Sequence, residues 1–186
     1  HLALMLLIAV IPTALMGVLF EDYVEALFAS TTLVGLMLLV TGSLLYLSRY
    51  LLAVGSKDIT GISRLDAFLI GIAQGMAIIP GISRSGATIV GAMGRRLDRN
   101  VAARFSFILS LPTILGAGLY RSLHVFEGGW DGLSFIAILW GTLAAFIAGY
   151  AAIRVLLRVI HSGNLHHFAY YCWLIGILVI INHILQ

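Results

Sequence analysis

The stretch from Gln74 to Thr88, QGMAIIPGISRSGAT, decides how this chain folds. It begins as an apolar run, and Pro80 and Gly81 then interrupt the helix that such a run would form. An arginine and three hydroxyl side chains follow: Ser83, Arg84, Ser85 and Thr88. In hydrocarbon an unpaired charge costs at least about 2.5 kcal/mol, and unsatisfied backbone groups cost several kcal/mol each. The segment therefore has to be buried in protein or line a wet cavity, and an anion is the ligand that complements it.

The composition assigns the whole chain to the membrane. Its 186 residues are 61% hydrophobic and only 10% charged, with a mean hydropathy of +1.06. Soluble domains carry about 25% charged residues. The formal net charge of +3 does not indicate a nucleic-acid partner, because the basic residues lie in short connections between apolar runs. We expect an all-α integral membrane protein that forms a single membrane domain over residues 1–186.

Apolar runs predict about five membrane-spanning helices, two within residues 1–52 and three within residues 102–186. Their expected bounds are 2–20, 27–52, 102–123, 133–153 and 168–185. Glu21, Asp22 and Glu25 form an acidic connection between the first two spans.

Residues 66–94 do not fit a sixth span. A helix from Asp66 to Ile79 would rise about 21 Å and one from Ser85 to Gly94 about 15 Å, both short of the roughly 30 Å hydrocarbon core. Basic residues lie on both sides of the segment, and the positive-inside rule places both flanks in the cytoplasm. These residues are Arg49, Lys57, Arg64, Arg95, Arg96, Arg99 and Arg104. The sequence therefore predicts a re-entrant helix–loop–helix hairpin over residues 66–94.

The residues of the hairpin loop suit a phosphate group. Gly81 and Gly86 permit a tight turn and close approach of a ligand, and the three hydroxyls can donate hydrogen bonds. Arg84 can hold a phosphate through two parallel N–H···O bonds. A helix that restarts near Ser85 would add the free N–H groups and the positive dipole end of its N-terminus. The alternative is that Arg84 pairs with a carboxylate or with carbonyls and only holds the hairpin together.

Small residues recur every four positions in two places. They are Gly71 and Gly75 in the hairpin, and Ala102, Ser106 and Ser110 in the third span. We interpret both sets as faces on which helices approach each other closely.

The run QGMAIIPGISRSGAT, followed by Phe105-Ser106-Phe107 and Pro112, resembles the second motif region of the undecaprenyl-diphosphate phosphatases, the bacitracin-resistance family. The PGxSRSGAT string is close to diagnostic, and the resemblance extends over essentially the whole chain. It implies two inverted repeats, each with a re-entrant hairpin and three spans. The chain corresponds to the C-terminal two thirds of a complete member, so that the N-terminal repeat is expected to be missing.

The resemblance implies an activity and a set of site residues. Members hydrolyse undecaprenyl diphosphate to undecaprenyl phosphate and inorganic phosphate, on the outer face of the bacterial inner membrane. This recycles the lipid carrier for cell-wall synthesis. By the motif, Arg84 and Ser83 match catalytic positions. The matching substrate-binding positions are Ser85, Gly86, Thr88, Gln74 and Gly81.

The resemblance also implies a divalent cation, Mg²⁺ or Ca²⁺, whose ligands are expected in the missing repeat. The family's glutamate pair, E-x-x-x-E, lies there, whereas Gln74 and Ile78 stand at that spacing here. Glu21 and Glu25 have the spacing but lie in the acidic connection. We therefore assign no metal ligand to this chain and expect it, on its own, to have little or no phosphatase activity. A homodimer is a further expectation.

Two other classes of protein remain open from the residues alone. A secondary transporter or flippase for a phosphorylated lipid or solute would also place a broken helix at mid-membrane. A structural membrane subunit without a ligand is the third class, and the charge of Arg84 argues against it.

Overall fold

The computed structural model describes residues 1–51, 55–128 and 135–185 and, within them, every side chain except those of residues 21, 22, 25, 121, 123–128 and 135. The regular secondary structure of this part is α-helical, apart from a short 3-10 turn at Leu165–His167 and an isolated backbone bridge between Lys57 and Leu97. The helices are α1 (Leu2–Leu19), α2 (Glu21–Phe28), α3 (Thr31–Leu51), α4 (Arg64–Met76), α5 (Arg84–Gly94), α6 (Arg99–Gly128), α7 (Phe135–His161) and α8 (Phe168–Ile184).

Among these helices, α1, α3, α6, α7 and α8 are long and apolar enough to cross a membrane. The prediction of an all-α integral membrane protein with five spans is thereby confirmed. Hydropathy and length suffice for this prediction because a spanning helix has to satisfy all of its backbone groups internally.

The predicted start of the second span, at residue 27, is wrong. The acidic connection is itself helical and forms α2, so that α3 begins only at Thr31. The sequence of α2, EDYVEALF, contains good helix formers such as Glu, Ala and Leu. These residues therefore form a short helix of their own, and the apolar stretch of the second span begins after it. The last predicted residue of this span, Leu52, lies outside the described residues.

The third and fourth spans are longer than the apolar runs that predicted them. The helix α6 covers Arg99–Gly128 instead of 102–123, and α7 continues to His161, beyond the predicted end at residue 153. The extension of α7 contains Arg154 and Arg158. Cations are favourable at the C-terminal end of a helix and long basic side chains can reach the membrane surface, so the helix does not have to end where the apolar run ends.

The helices α4 and α5 form the predicted hairpin, with residues 77–83 between them, and the chain on either side of it is joined by backbone hydrogen bonds. Ser56 N and Lys57 N both donate to Arg96 O, at 3.1 and 2.9 Å, and Asp98 N donates to Lys57 O at 3.0 Å. We call residues 55–58 and 95–98 the hairpin base. The two segments of the hairpin base are in contact, so the chain enters the hairpin and leaves it at the same place.

A buried carboxylate fixes the hairpin base. Asp66, which is fully buried, contacts Lys57 Nζ at 2.9 Å and Arg95 Nε at 2.8 Å. Its side chain also accepts from Ser63 N, while Ser63 Oγ accepts from Asp66 N, which forms a capping box at the start of α4. Burial alone would raise the pKa of Asp66, but hydrogen bonds from Lys57, Ser63 and Arg95 hold it well below the usual range for a carboxyl group. Asp66 therefore stays ionised and joins both ends of the hairpin.

Two glycines let the hairpin lie directly against α1. A Cβ atom added to Gly71 would collide with Ala9 O, and one added to Gly75 would collide with Met16 Sδ. The interpretation of Gly71 and Gly75 as a packing face is confirmed, because a side chain at Gly71 would meet the backbone of α1 and one at Gly75 would displace the side chain of Met16.

We expect both ends of the hairpin, within and next to the hairpin base, to be accessible from the same side of the membrane. Ser56 and Gly94 are exposed, and a Cβ at Gly94 meets no atom within 4 Å, so that a cysteine fits at either position. With Cys172→Ser as background, Ser56→Cys and Gly94→Cys should both react with an impermeant thiol reagent added from the cytoplasmic side. Labelling of the two cysteines from opposite sides would exclude a re-entrant hairpin.

Replacement of Asp66 by Asn should destabilise the folded chain by about 1–3 kcal/mol at neutral pH, because the Lys57 and Arg95 charges lose their buried partner. The lowered pKa means that the carboxylate stabilises the fold above its unfolded pKa of about 4, and that this stabilisation is lost as the pH falls towards the folded value. Thermal unfolding in detergent should therefore show a difference between wild type and Asp66→Asn that shrinks below about pH 4.

The matched control is Asp58→Asn, which removes an exposed carboxylate from the same base. Among the described residues, Asp58 accepts only from the neighbouring Thr60 and Gly61, so its replacement should cost less stability. Equal unfolding temperatures for wild type and Asp66→Asn at neutral pH would contradict the assignment of Asp66.

Candidate functional site

The site lies where the hairpin changes direction. The helix α4 ends at Met76, and residues 77–83, which we call the break, lead to α5. Gly81 has φ +94°, a conformation that other residues rarely adopt. Ser83 is the N-cap of α5, and its Oγ accepts from Gly86 N at 3.1 Å. The helix thus restarts at Arg84, one residue before the predicted position.

A cavity of about 450 Å³ opens beside the break. Its polar wall comes from two helices, with Arg84 and Ser85 at the start of α5 and Ser106 and Ser110 on α6. The remaining lining residues are Ala77, Phe107 and Ile114. Cationic and hydroxyl groups thus face apolar ones across a single cavity, which suits a ligand with an anionic head and an apolar tail.

The guanidinium of Arg84 has no protein partner within the described part of the chain. Its side chain is exposed, and it forms neither a hydrogen bond nor a salt bridge there. Arg95, eleven residues further on, is bound to Asp66 instead. This arrangement argues against the alternative in which Arg84 pairs with a carboxylate to hold the hairpin, because Arg95 and Lys57 already do so.

The start of α5 adds positive potential at the same place. The N–H of Gly86 is satisfied by Ser83 Oγ, and the N–H of Ala87 by Ser83 O. The N–H groups of Arg84 and Ser85 have no acceptor among the described residues. Two backbone donors and the helix dipole are therefore available beside the guanidinium, which favours an anion.

The structure places the predicted site residues in three different environments. Arg84 and Ser85 line the cavity, whereas Ser83 caps α5 behind them. Thr88 is fully buried, donates to Arg84 O at 2.9 Å and forms a short hydrogen bond with Ser106. Fewer of the motif residues line the cavity than the motif suggested. Direct contacts of Ser83 and Thr88 with a ligand stay predictions.

The predicted positions Gly81, Gly86 and Gln74 lie around this centre. Gly86 is buried behind Ser83, and Gly81 lies against α3. Gln74 is buried, and its Nε2 donates to Thr113 Oγ1 on α6 at 2.9 Å. Its Oε1 has no hydrogen-bond partner among the described residues. Gln74 is absent from the cavity lining, so a contact between Gln74 and a ligand remains a prediction.

The contribution of α6 to the site was not predicted from the sequence. Ser106 and Ser110 were interpreted as part of a packing face, yet both line the cavity, and Ser106 also joins α6 to α5 through Thr88. A serine in an apolar helix looks the same in the sequence whether it faces another helix or a cavity. The available signal was the spacing of four residues, which places both hydroxyls on one face of α6.

The residues around the cavity do not fit a divalent cation. Mg²⁺ and Ca²⁺ are bound mainly by carboxylate and carbonyl oxygens, whereas the lining offers an arginine and three serines. Within the described residues, no cluster of three His, Cys, Asp or Glu side chains could hold a metal ion. The side chains of Glu21 and Glu25 are outside the description.

These observations define the class of this protein as an all-α integral membrane protein with a cationic, hydroxyl-lined cavity at a break between two short helices. Residues 1–178 match the family of bacitracin resistance protein BacA. The chain belongs to that family, as the resemblance of the Gln74–Thr88 stretch indicated.

Curated relatives carry a name that specifies an activity. The chain is 48% identical to an undecaprenyl-diphosphatase of Halothermothrix orenii, over 97% of this chain and 69% of that protein. It is 40% identical to an undecaprenyl-diphosphatase of Alkaliphilus metalliredigens, over 99% of this chain and 66% of that protein. This chain thus spans about two thirds of the length of these relatives.

A third relative matches at nearly full length on both sides. The undecaprenyl-diphosphatase of Methanothermobacter thermautotrophicus is 44% identical over 95% of this chain and 97% of that protein. A protein of similar extent therefore has the same name as the longer relatives.

Proposed function

We propose that this chain takes part in the hydrolysis of undecaprenyl diphosphate to undecaprenyl phosphate and inorganic phosphate. The observation that carries the proposal is the guanidinium of Arg84, which lines a cavity and has no protein partner among the described residues. The names of the relatives supply the substrate. The reaction would recycle the lipid carrier for cell-wall synthesis and would account for resistance to bacitracin.

The geometry suits the demands of phosphoanhydride cleavage. Charge spreads over the oxygens of the transferred phosphoryl group, and the leaving lipid phosphate has to be stabilised as an anion. Arg84 can bind two oxygens at once, and the N–H groups of Arg84 and Ser85 can bind a third. The hydroxyls of Ser85, Ser106 and Ser110 can donate to further oxygens. Ser83, the other residue matched to a catalytic position, holds the start of α5 in place.

The acids and the metal ligands are proposed to come from outside this chain. A divalent cation, Mg²⁺ or Ca²⁺, would neutralise phosphate charge when bound. Its ligands would be the glutamate pair expected in an N-terminal repeat, because the described residues around the cavity do not suit it. The part played by this chain is then to bind and orient the diphosphate.

The proposed location follows from the class of substrate and from the charges of the hairpin base. The protein is placed in the bacterial inner membrane with its polyprenyl diphosphate lipid bound from the bilayer. The base lies on the cytoplasmic side and the break faces outward, since basic residues are retained in the cytoplasm. A homodimer is proposed as the assembly.

A flippase or transporter is the competing function, and the names of the relatives favour the phosphatase. The two functions differ in whether inorganic phosphate is released. A purified protein that contains both repeats, in detergent with undecaprenyl diphosphate, should release inorganic phosphate if it is a phosphatase, whereas a transporter would release none.

Removal of the Arg84 side chain should abolish most of the turnover. In a protein that contains both repeats, Arg84→Ala should lose about 30- to 5,000-fold in rate, which corresponds to one charge-assisted contact of about 2–5 kcal/mol. Arg84→Lys should recover only part of the rate, since lysine offers a point charge in place of the planar fork. Turnover is measured per folded molecule, with folding judged from a monodisperse detergent peak.

The control for Arg84→Ala is Arg104→Ala, which removes an exposed arginine on α6 outside the cavity lining. It should leave turnover unchanged. Normal turnover in well-folded Arg84→Ala would remove the phosphate-binding role from Arg84.

The 186-residue chain alone should show little or no release of phosphate, because it lacks the glutamate pair of the proposed N-terminal repeat. Fusion of the preceding repeat from a longer relative should restore metal-dependent release. Substantial metal-dependent turnover by the purified chain would mean that the acids lie within this sequence. The test is pertinent because the Methanothermobacter relative, which has the same name as the longer relatives, matches this chain over 97% of its own length.

A further inference from the structure

A threonine on α3 holds both sides of the peptide turn that precedes the phosphate-binding residues. Thr41 is buried, and its Oγ1 donates to Gly81 O at 2.9 Å and accepts from Ser83 N at 3.1 Å. Thr41 lies 42 residues before Ser83 in the chain. One hydroxyl thus satisfies a carbonyl and an N–H group that neither α4 nor α5 can pair.

The break lies directly against α3 around this threonine. A Cβ atom added to Gly81 would lie 2.6 Å from Val34 O and 2.8 Å from Met37 Cβ. On the other side of Thr41, a Cβ added to Gly86 would approach Leu45 Cδ2 to 3.3 Å. The turn is therefore supported by α3 on one side, with the cavity-lining residues Arg84 and Ser85 following it.

The contact with Thr41 is transmitted to the cavity through one residue. The N–H of Ser83 is bound by Thr41, and Ser83 Oγ is bound by Gly86 N, so Ser83 is fixed at both ends. Arg84 and Ser85 are the next two residues, and their N–H groups, in the first turn of α5, have no acceptor among the described residues. The orientation of Ser83 consequently sets the direction in which these donors and the Arg84 side chain leave the helix.

We infer that Thr41 is a positioning residue for the site: its hydroxyl fixes the Gly81–Ser83 turn so that Arg84 and Ser85 face the diphosphate of the lipid. The inference rests on the proposed function for the identity of the ligand. The fixation of the turn itself rests only on the contacts of Thr41.

Two substitutions separate the hydroxyl from the shape of the side chain. Thr41→Val has nearly the same shape but neither donates nor accepts a hydrogen bond, which leaves Gly81 O and Ser83 N unsatisfied in a buried place. Thr41→Ser keeps the hydroxyl and loses only a methyl group. The matched control is Ser48→Ala, since Ser48 is buried on the same helix but, within the described part of the chain, its hydroxyl bonds only to Leu45 O in its own helix.

The first measurement is amide hydrogen exchange of the purified chain in detergent, which requires no activity. Exchange in the peptide that contains Ser83 should be about 10-fold faster in Thr41→Val than in wild type, because its N–H has lost its acceptor. Thr41→Ser and Ser48→Ala should stay within about 3-fold of wild type at this peptide.

The second measurement is turnover of undecaprenyl diphosphate by the protein with both repeats. Thr41→Val should lower kcat/KM about 10-fold or more per folded molecule, with most of the loss in kcat, because misdirected donors stabilise the transition state less well. Thr41→Ser should recover most of the rate. A purely structural role would reduce the yield of folded protein and leave its turnover unchanged.

The two measurements distinguish failure of the inference from failure of the proposed function. Unchanged exchange at Ser83 in Thr41→Val, or wild-type turnover in that variant, would overturn the role of Thr41. Absence of phosphate release from the wild-type protein with both repeats would contradict the proposed function, and the exchange experiment would still decide whether Thr41 fixes the turn.

Discussion

A helix that ends within a membrane leaves backbone donors and acceptors that lipid cannot satisfy, and the structure around the break depends on how these groups are paired. Ser83 satisfies two N–H groups of α5, and Thr41 satisfies the carbonyl of Gly81 and the N–H of Ser83. The two N–H groups that remain, at Arg84 and Ser85, lie beside the cavity. The pairing of the other backbone groups thus leaves the N–H groups of Arg84 and Ser85 as donors for an anion.

The hairpin needs a second set of interactions at its other end. The outer ends of the half-length helices α4 and α5 are held together by Asp66, through Lys57 and Arg95. Close contact of Gly71 and Gly75 with α1 supports the hairpin from the side. The carboxylate of Asp66 binds Arg95 at the hairpin base and is therefore not available to Arg84. Arg84 has no partner among the described residues.

A cavity with an open arginine is chemically incomplete for hydrolysis. The described residues supply positive charge and hydroxyl donors but no carboxylate beside the cavity. Membership of the BacA family and the greater length of most matched relatives are compatible with a second segment that would supply the acids. If this chain binds the diphosphate and an N-terminal repeat supplies the acids, the reaction would depend on how the hairpins of the two repeats pack against each other.

The sequence by itself determined the five spans, the two short helices and the position of the break, because hydropathy, helix length and the effect of Pro80-Gly81 are local properties. It also singled out Arg84, since a charge at that place in an apolar run needs a ligand or a partner. Only the tertiary structure decided that Ser106 and Ser110 line the cavity and that Thr41 holds the turn. These residues lie on other helices, and a hydroxyl in an apolar helix has the same local pattern whether it packs, caps or faces a cavity. Its role depends on which helix lies opposite, and that is set by the packing of the whole bundle.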